Sequence, residues 1–306
     1  KNRFWGLALP IWECKKCGNF EIIGGKEELR EKAVAGWEKF AGHTPHKPWV
    51  DEVKIKCIKC GEVVSRVEPV GNPWLDAGIV PFSTMPEDYF PADFVTECFP
   101  GQFKNWFYSL IVMATVLKKT NPMKTLLGYE TVTGEDGRPM HKSSGNMIEF
   151  NEGAGKIGVD VMRWMYAKTP PTAILAFGYK TADEVRRKFL LILWNSYRFF
   201  MTQANVDAWR PLSNKKPTFA KATAGKQVTS DKKDVLDRWI LVRLDELIKI
   251  VTDNLNKYQA APAAEAIEVF VNDFSTWYIR RSRERVGSAV YETMYRVLVT
   301  LAKLMA

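Results

Sequence analysis

Four of the five cysteines stand in two copies of one pattern. "CKKCG" supplies Cys14 and Cys17, and "CIKCG" supplies Cys57 and Cys60. A two-residue spacer lets both thiolates of one tight turn reach a common ion at about 2.3 Å, and the glycine that follows relieves the turn. The pattern predicts two knuckles, far apart in sequence, that converge on one tetrahedral zinc. Two disulfides, or knuckles that once held a metal, are the alternatives. Four sulfurs would close the coordination shell and leave no position for water, so such a zinc is structural rather than catalytic. The fifth cysteine, Cys98, stands alone.

The 306 residues suit two or three domains. Residues 1–90 read as a zinc-knuckle region with short strand-like runs such as "FEIIGG" and "EVKIKCI", and "GKEELREKAVAGWEKFAG" between the knuckles reads as helix. Residues 91–180 read as an α/β piece: "NWFYSLIVMATVLK" is a buried helix, "LLGYETVTGEDGRPM" a strand and turn, and "GVDVMRWMYAKTP" a short helix stopped by prolines. Residues 181–306 change to long amphipathic helices. One of them carries Leu236, Ile240, Leu244, Leu247, Val251 and Leu255 along a face. Residues 211–234, rich in Lys, Thr, Ser and Ala, read as a flexible insertion.

No apolar run is long enough to span a membrane, and no signal-peptide pattern is present. A start at Lys1 rather than Met reads as a fragment or a trimmed chain. The net charge of +9 suits a polyanionic partner such as nucleic acid.

Other stretches are ambiguous taken singly. In "ECFPGQFKNWFYS", Gln102 and Trp106 are four apart, so they share a face if one helix already includes both. They read equally as core or as ligand contacts. "WYIRRSRER" places Arg280, Arg281, Arg283 and Arg285 at a helix end, either as a solvated face or as contacts to phosphates. "GRPMHKSSGN" is a polar, glycine-bounded loop that either turns the chain or grips a phosphate.

Taken together and in order, these blocks resemble the isoleucyl-tRNA synthetases, a family of class I aminoacyl-tRNA synthetases. "NRFWGLALPIW" is similar to the family's Arg-x-Arg-aromatic-Trp-Gly-x-Pro block, "WLDAG" to Trp-Phe-Asp-Ser-Gly, and "ECFPGQFKNWFYS" to Glu-x-x-Asp-Gln-x-x-Gly-Trp-Phe with one additional residue. "PMHKSSGN" is similar to Lys-Met-Ser-Lys-Ser-x-Gly-Asn, with Pro139 in place of the first lysine and His141 in place of the serine. "RKFLLILWNSYRFF" and "WYIRRSRER" resemble helices of the anticodon-binding domain.

The resemblance implies the second half of a class I, Rossmann-like catalytic domain bearing a zinc-binding insertion, followed by an incomplete helical anticodon-binding bundle. It implies ATP-dependent activation of isoleucine to the adenylate and transfer to tRNA(Ile). Lys142 and Ser143 would be catalytic, with Met140, His141 and Lys142 on ATP, which brings its magnesium. Trp5, Glu97, Gln102 and Trp106 would contact the amino acid or adenylate, and Arg280, Arg281, Arg283 and Arg285 the tRNA. The loop 134–146 is expected to be mobile without ATP. The family's His-x-Gly-His signature and its editing domain are missing, so the chain alone is expected to be inactive, as part of a cytoplasmic monomer. A non-catalytic tRNA-binding or zinc module, and a valyl or leucyl relative, are the alternatives.

Overall fold

The computed structural model describes residues 6–211, 234–285 and 287–306. The insertion expected at 211–234 lies outside the described residues apart from its two ends, and so does Trp5. The chain divides into two compact units, Lys1–Leu127 and Gly128–Ala306.

The first unit begins with two hairpins, each built around one knuckle. Strands β1 (Ile11–Glu13) and β2 (Phe20–Ile22) pair antiparallel across the first. Between the knuckles run α1 (Lys26–Lys32), β3 (Ala33–Ala35) and α2 (Trp37–Phe40). Strands β4 (Lys54–Lys56) and β5 (Val63–Ser65) then pair antiparallel across the second knuckle. The continuous helix expected from "GKEELREKAVAGWEKFAG" is thus two short helices broken by a strand, which pairs antiparallel with β4. Gly36 forces the break. It has φ +77°, and a Cβ there would collide with the Glu52 carbonyl. Propensity favoured helix here, but a free edge of β4 and one left-handed residue won.

Trp12, Phe40, Val53 and Ile55 are buried at the centre of this module, and the Trp12 indole donates to the Val53 carbonyl at 3.1 Å. The incoming and outgoing chains run side by side: Ala8 bridges Val70, Trp12 bridges Arg66, and the Gly71 amide donates to the Leu7 carbonyl. Arg66 locks this closure. Its side chain is buried and makes two bonds to Asp51 Oδ1, at 2.8 and 2.6 Å, while also donating to the Leu9, Pro69 and Glu68 carbonyls. Arg66→Ala should lower the stability of this unit by roughly 3 kcal/mol, because the carbonyls and Asp51 lose their donor together. A denaturant titration that shows no loss would overturn that role.

Helices α3 (Pro73–Gly78) and α4 (Val80–Ser83) follow, then β6 (Ala92–Cys98), α5 (Phe99–Gln102), α6 (Trp106–Lys118) and β7 (Met123–Tyr129), which pairs with β6. Asn72 caps α3 by accepting from the Trp74 amide.

The second unit opens with a β-α-α-β crossover. Strand β8 (Val132–Gly134) lies parallel to β9 (Leu175–Phe177), with α7 (Phe150–Lys156) and α8 (Val159–Lys168) between them in sequence. Ile157, Val161, Met165, Leu175 and Phe177 form its core. Helix α9 (Tyr179–Val185) passes through a π-helical turn, Arg186–Leu190, into α10 (Leu191–Val206). Helix α11 (Val235–Leu255), α12 (Ala260–Asn272), a π-helical stretch Asp273–Ile279 and α13 (Ser288–Met305) complete the unit. Ile240, Leu244, Leu247 and Val251 are buried among Phe270, Phe274 and Val297, as the helical period predicts, whereas Leu255 at the end of that face is exposed. No helix among the described residues is long and apolar enough to cross a membrane.

Candidate functional site

The two knuckles have the same backbone. In the first, the Gly18 amide donates to the Cys14 carbonyl and the Cys14 amide to the Asn19 carbonyl; in the second, Gly61 donates to Cys57 and Cys57 to Glu62. Gly18 and Gly61 have φ +70° and +73°, a conformation that costs glycine nothing. This turn points both sulfurs of a knuckle the same way. The four sulfurs of Cys14, Cys17, Cys57 and Cys60 lie within 4.8 Å of one another. Cys14 and Cys60 are 3.5 Å apart, and Cys17 and Cys57 are 3.6 Å apart. A tetrahedron of thiolates around zinc has edges of about 3.8 Å, so the set fits that ion closely. All four are free thiols, and these separations are well beyond the roughly 2 Å of a disulfide bond.

The local field prepares the set for a cation. Burial opposes ionisation of Cys57, but the Cys60 and Lys59 amides donate to its sulfur and lower its pKa to about 7. The Glu62 amide favours a thiolate at Cys60, yet the Cys14 sulfur, burial and the other two sulfurs outweigh it and push Cys60 up to about 12. Cys57 is thus shifted toward its thiolate and Cys60 away from it, as expected for crowded thiols with no positive charge beside them.

In the second unit the loop after β8 is a braced turn. The Gly134 amide donates to the Arg138 carbonyl, and Thr133 bridges Pro139. Asn146 spans the next turn: its Oδ1 accepts from the His141 amide at 3.1 Å and its Nδ2 donates to the Pro139 carbonyl at 3.1 Å. Between these braces Lys142–Ser144 form one turn of 3-10 helix, closed by Gly145 at φ +69°. Met140 packs partly buried against the crossover core, so it anchors the loop from below. His141, Lys142 and Ser143 are exposed. Among the described residues the Lys142 ammonium makes no hydrogen bond or ion pair. A hydrogen-bonded turn thus carries an uncompensated cation. The sequence suggested little would hold this loop, and the role of Asn146 was missed although the residue stands in the motif.

Glu97, Gln102 and Trp106 belong to the first unit. Glu97 lies near the end of β6 and its Oε1 accepts from the Cys98 amide at 2.8 Å. Gln102 and Trp106 do not share one helix. Gln102 ends α5, a break follows at Asn105, and Trp106 starts α6. They are still coupled: Gln102 Oε1 accepts from the Trp106 amide at 3.4 Å, and the Trp106 indole donates to the Ala77 carbonyl of α3 at 3.2 Å. That second bond fixes a half-buried ring between "WLDAG" and "GQFKNWF", two blocks that sequence alone kept apart.

Residues 1–177 match the family model described as tRNA synthetases class I (I, L, M and V). The chain belongs to this family. Residues 237–306 of this class I synthetase chain match the model described as the anticodon-binding domain of tRNA ligase. The chain is 36% identical over its whole length to the isoleucine–tRNA ligase of Clostridium tetani and 36% identical to that of Thermus thermophilus, and it spans about 30% of the length of each. Its fold is shared with the LeuRS–tRNA–LeuAMS complex of Agrobacterium radiobacter, at a TM-score of 0.65 and 17% identity over 99% of this chain and 38% of that one. The methionyl-tRNA synthetase of Mycobacterium tuberculosis, solved with methionyl-adenylate, follows at a TM-score of 0.52 over 83% of this chain and 48% of that one.

The synthetase's arginine cluster separates into two kinds. Arg280, Arg281 and Arg283 differ from Arg285 in having no carboxylate partner among the described residues, and Arg281 stacks on Trp277 at 3.9 Å from the ring centre. Arg285 turns inward and donates to the fully buried Asp237 at 2.6 Å, which also accepts from the Tyr278 hydroxyl at 2.6 Å. Burial and then that carboxylate raise the Tyr278 pKa. An i, i+4 pattern does not reveal such a partner, because Asp237 lies on another helix.

Proposed function

We propose that this chain supplies the second half of the catalytic domain and the start of the anticodon-binding bundle of an isoleucine–tRNA ligase. In this reading, residues 1–90 carry the zinc-bearing insertion, 91–180 the Rossmann-like half and 181–306 the bundle. The whole protein activates isoleucine with ATP to the adenylate and passes it to tRNA(Ile), acting as a cytoplasmic monomer.

The observation that carries this reading is Lys142, an ammonium without a partner among the described residues, on a turn braced by Asn146. Such a group can follow negative charge as it builds on the departing pyrophosphate. Ser143, beside it, offers a hydroxyl donor, and His141 and Met140 line the approach. Trp106, with its ring fixed by Ala77, is suited to wall an apolar side-chain pocket, with Gln102 and Glu97 near the amino acid and ribose. Trp5 joins them through the resemblance of its block. The four cysteines would hold a zinc that stiffens the insertion and takes no part in the chemistry. Magnesium arrives with ATP.

The full-length protein should support ATP–pyrophosphate exchange with isoleucine and weakly with valine, since one methylene is worth roughly 1–3 kcal/mol in an apolar pocket. Exchange driven instead by leucine or methionine would move the chain to another branch of the family. Binding of tRNA without any exchange would favour the non-catalytic module.

The outer arginines give a separate test. Arg280→Ala with Arg281→Ala in the full-length protein should lower tRNA affinity and reduce the salt slope by about 2, one for each phosphate no longer neutralised. Arg285→Ala should instead lower the melting temperature, because it leaves Asp237 buried without its cation. An unchanged salt slope in the double variant would make the cluster an ordinary solvated face.

A further inference from the structure

We propose that the first turn of α9 is a positioning clamp for the Lys142 loop, with Thr181 and Tyr179 as its two jaws, holding Glu135 and Glu152; this rests on the reading of that loop as the ATP-activating one.

Glu135 follows β8 directly, on the rising side of the loop. Its Oε1 accepts from the Thr181 amide at 2.6 Å and from the Thr181 hydroxyl at 3.1 Å. The N-cap of α9 is Gly178, which has no side chain to cap the helix, so Glu135 takes over that task from another element. The crossing is tight: a Cβ on Gly178 would collide with the Glu135 side chain.

The descending side of the loop reaches the same turn. Glu149 caps α7 by accepting from the Asn151 and Glu152 amides. Glu152 then accepts from the Tyr179 hydroxyl at 2.8 Å, and Lys156 pairs with Glu152 while standing over the Tyr179 ring. Arg186 adds a third tie by donating to the Lys156 and Ile157 carbonyls.

Both ends of the loop therefore hang on one helical turn. That turn continues through Arg186–Leu190 into α10, whose Phe200 lies in the bundle core. Any shift of this helix when the bundle engages its partner moves both ends of the loop together. The spacing between the brace at Asn146 and the clamp sets where Lys142 stands.

The test uses the full-length protein. Glu135→Ala should speed tryptic cleavage after Lys142, read by mass spectrometry without ATP, by roughly fivefold to tenfold, the factor that corresponds to one lost helix cap. The bond after Arg138 precedes proline and is not a tryptic site, so the readout is local. The same variant should lower kcat for pyrophosphate exchange by a similar factor and leave the KM for isoleucine unchanged. Glu135→Gln keeps an acceptor at the same reach and should restore both. Wild-type cleavage in Glu135→Ala, or a defect that Gln does not relieve, would overturn the clamp. If the wild-type protein shows no isoleucine-dependent exchange, the isoleucine reading fails, while the cleavage ratio still decides the clamp.

Discussion

Lys142→Ala in the full-length protein should slow isoleucine-dependent pyrophosphate exchange by about 10²–10³-fold, the scale of losing one preorganised electrostatic stabiliser. The KM for isoleucine should change far less. Among the described residues Lys142 has no carboxylate partner, so its charge is not neutralised within the protein. Its backbone is held by the Asn146 bonds to His141 and Pro139, so little reorganisation is needed when the charge is required. Such a group acts on the state in which negative charge grows on the leaving phosphates, and much less on ground-state ATP. Lys142→Arg should rescue only in part, because a planar fork cannot follow moving charge as a compact ammonium does. His141→Ser should be tolerated, since His141 contributes its backbone amide to the Asn146 brace and any residue but proline supplies that. Near-normal exchange by Lys142→Ala would reduce the loop to an ordinary turn.

Loss of metal should be the second large effect. One zinc per chain is expected, and Cys57→Ser or a strong chelator should abolish the cooperative unfolding of residues 6–71. The buried core of this module is small, and two of its buried members, Cys14 and Cys57, would themselves be ligands. A module of this size draws much of its stability from the ion: structural zinc contributes about 10–16 kcal/mol of binding free energy in zinc-finger peptides, and that energy is folding energy. The second unit has its own core and should keep its own transition. Without metal, Cys60 holds its proton until about pH 12, so binding must release protons and affinity should fall as pH falls. Metal analysis together with hydrogen exchange across β1–β5 would measure this. Zinc-free protein with full protection there would overturn the structural role.

How much of this was legible in the sequence depended on the range of the cause. The paired knuckles were, because spacer, glycine and thiols all lie within five residues, and one turn geometry satisfies them wherever it occurs. The amphipathic face of α11 was, because a 3.6-residue period needs only one apolar neighbour to be buried. The family was readable from short ordered blocks. The strand β3 was not, since its pairing with β4 depends on an edge some twenty residues away. The broken register between Gln102 and Trp106 was not, since it comes from the non-helical backbone of Asn105 between α5 and α6. Arg285 looked like its three neighbours until Asp237 was placed against it.

The order of residues dictates the local chemistry: which side chains can bind a metal, which loop carries a lysine among hydroxyls and glycines, and which helix faces are apolar. Those properties follow from covalent spacing and side-chain type. Which of those groups remain available follows from the packing of distant segments. That packing turned Arg285 inward, left Lys142 without a partner among the described residues, and brought Glu135 and Glu152 to one turn of α9. A charge is worth little or much according to what is packed within a few ångströms of it, and that distance is set by folding rather than by position along the chain.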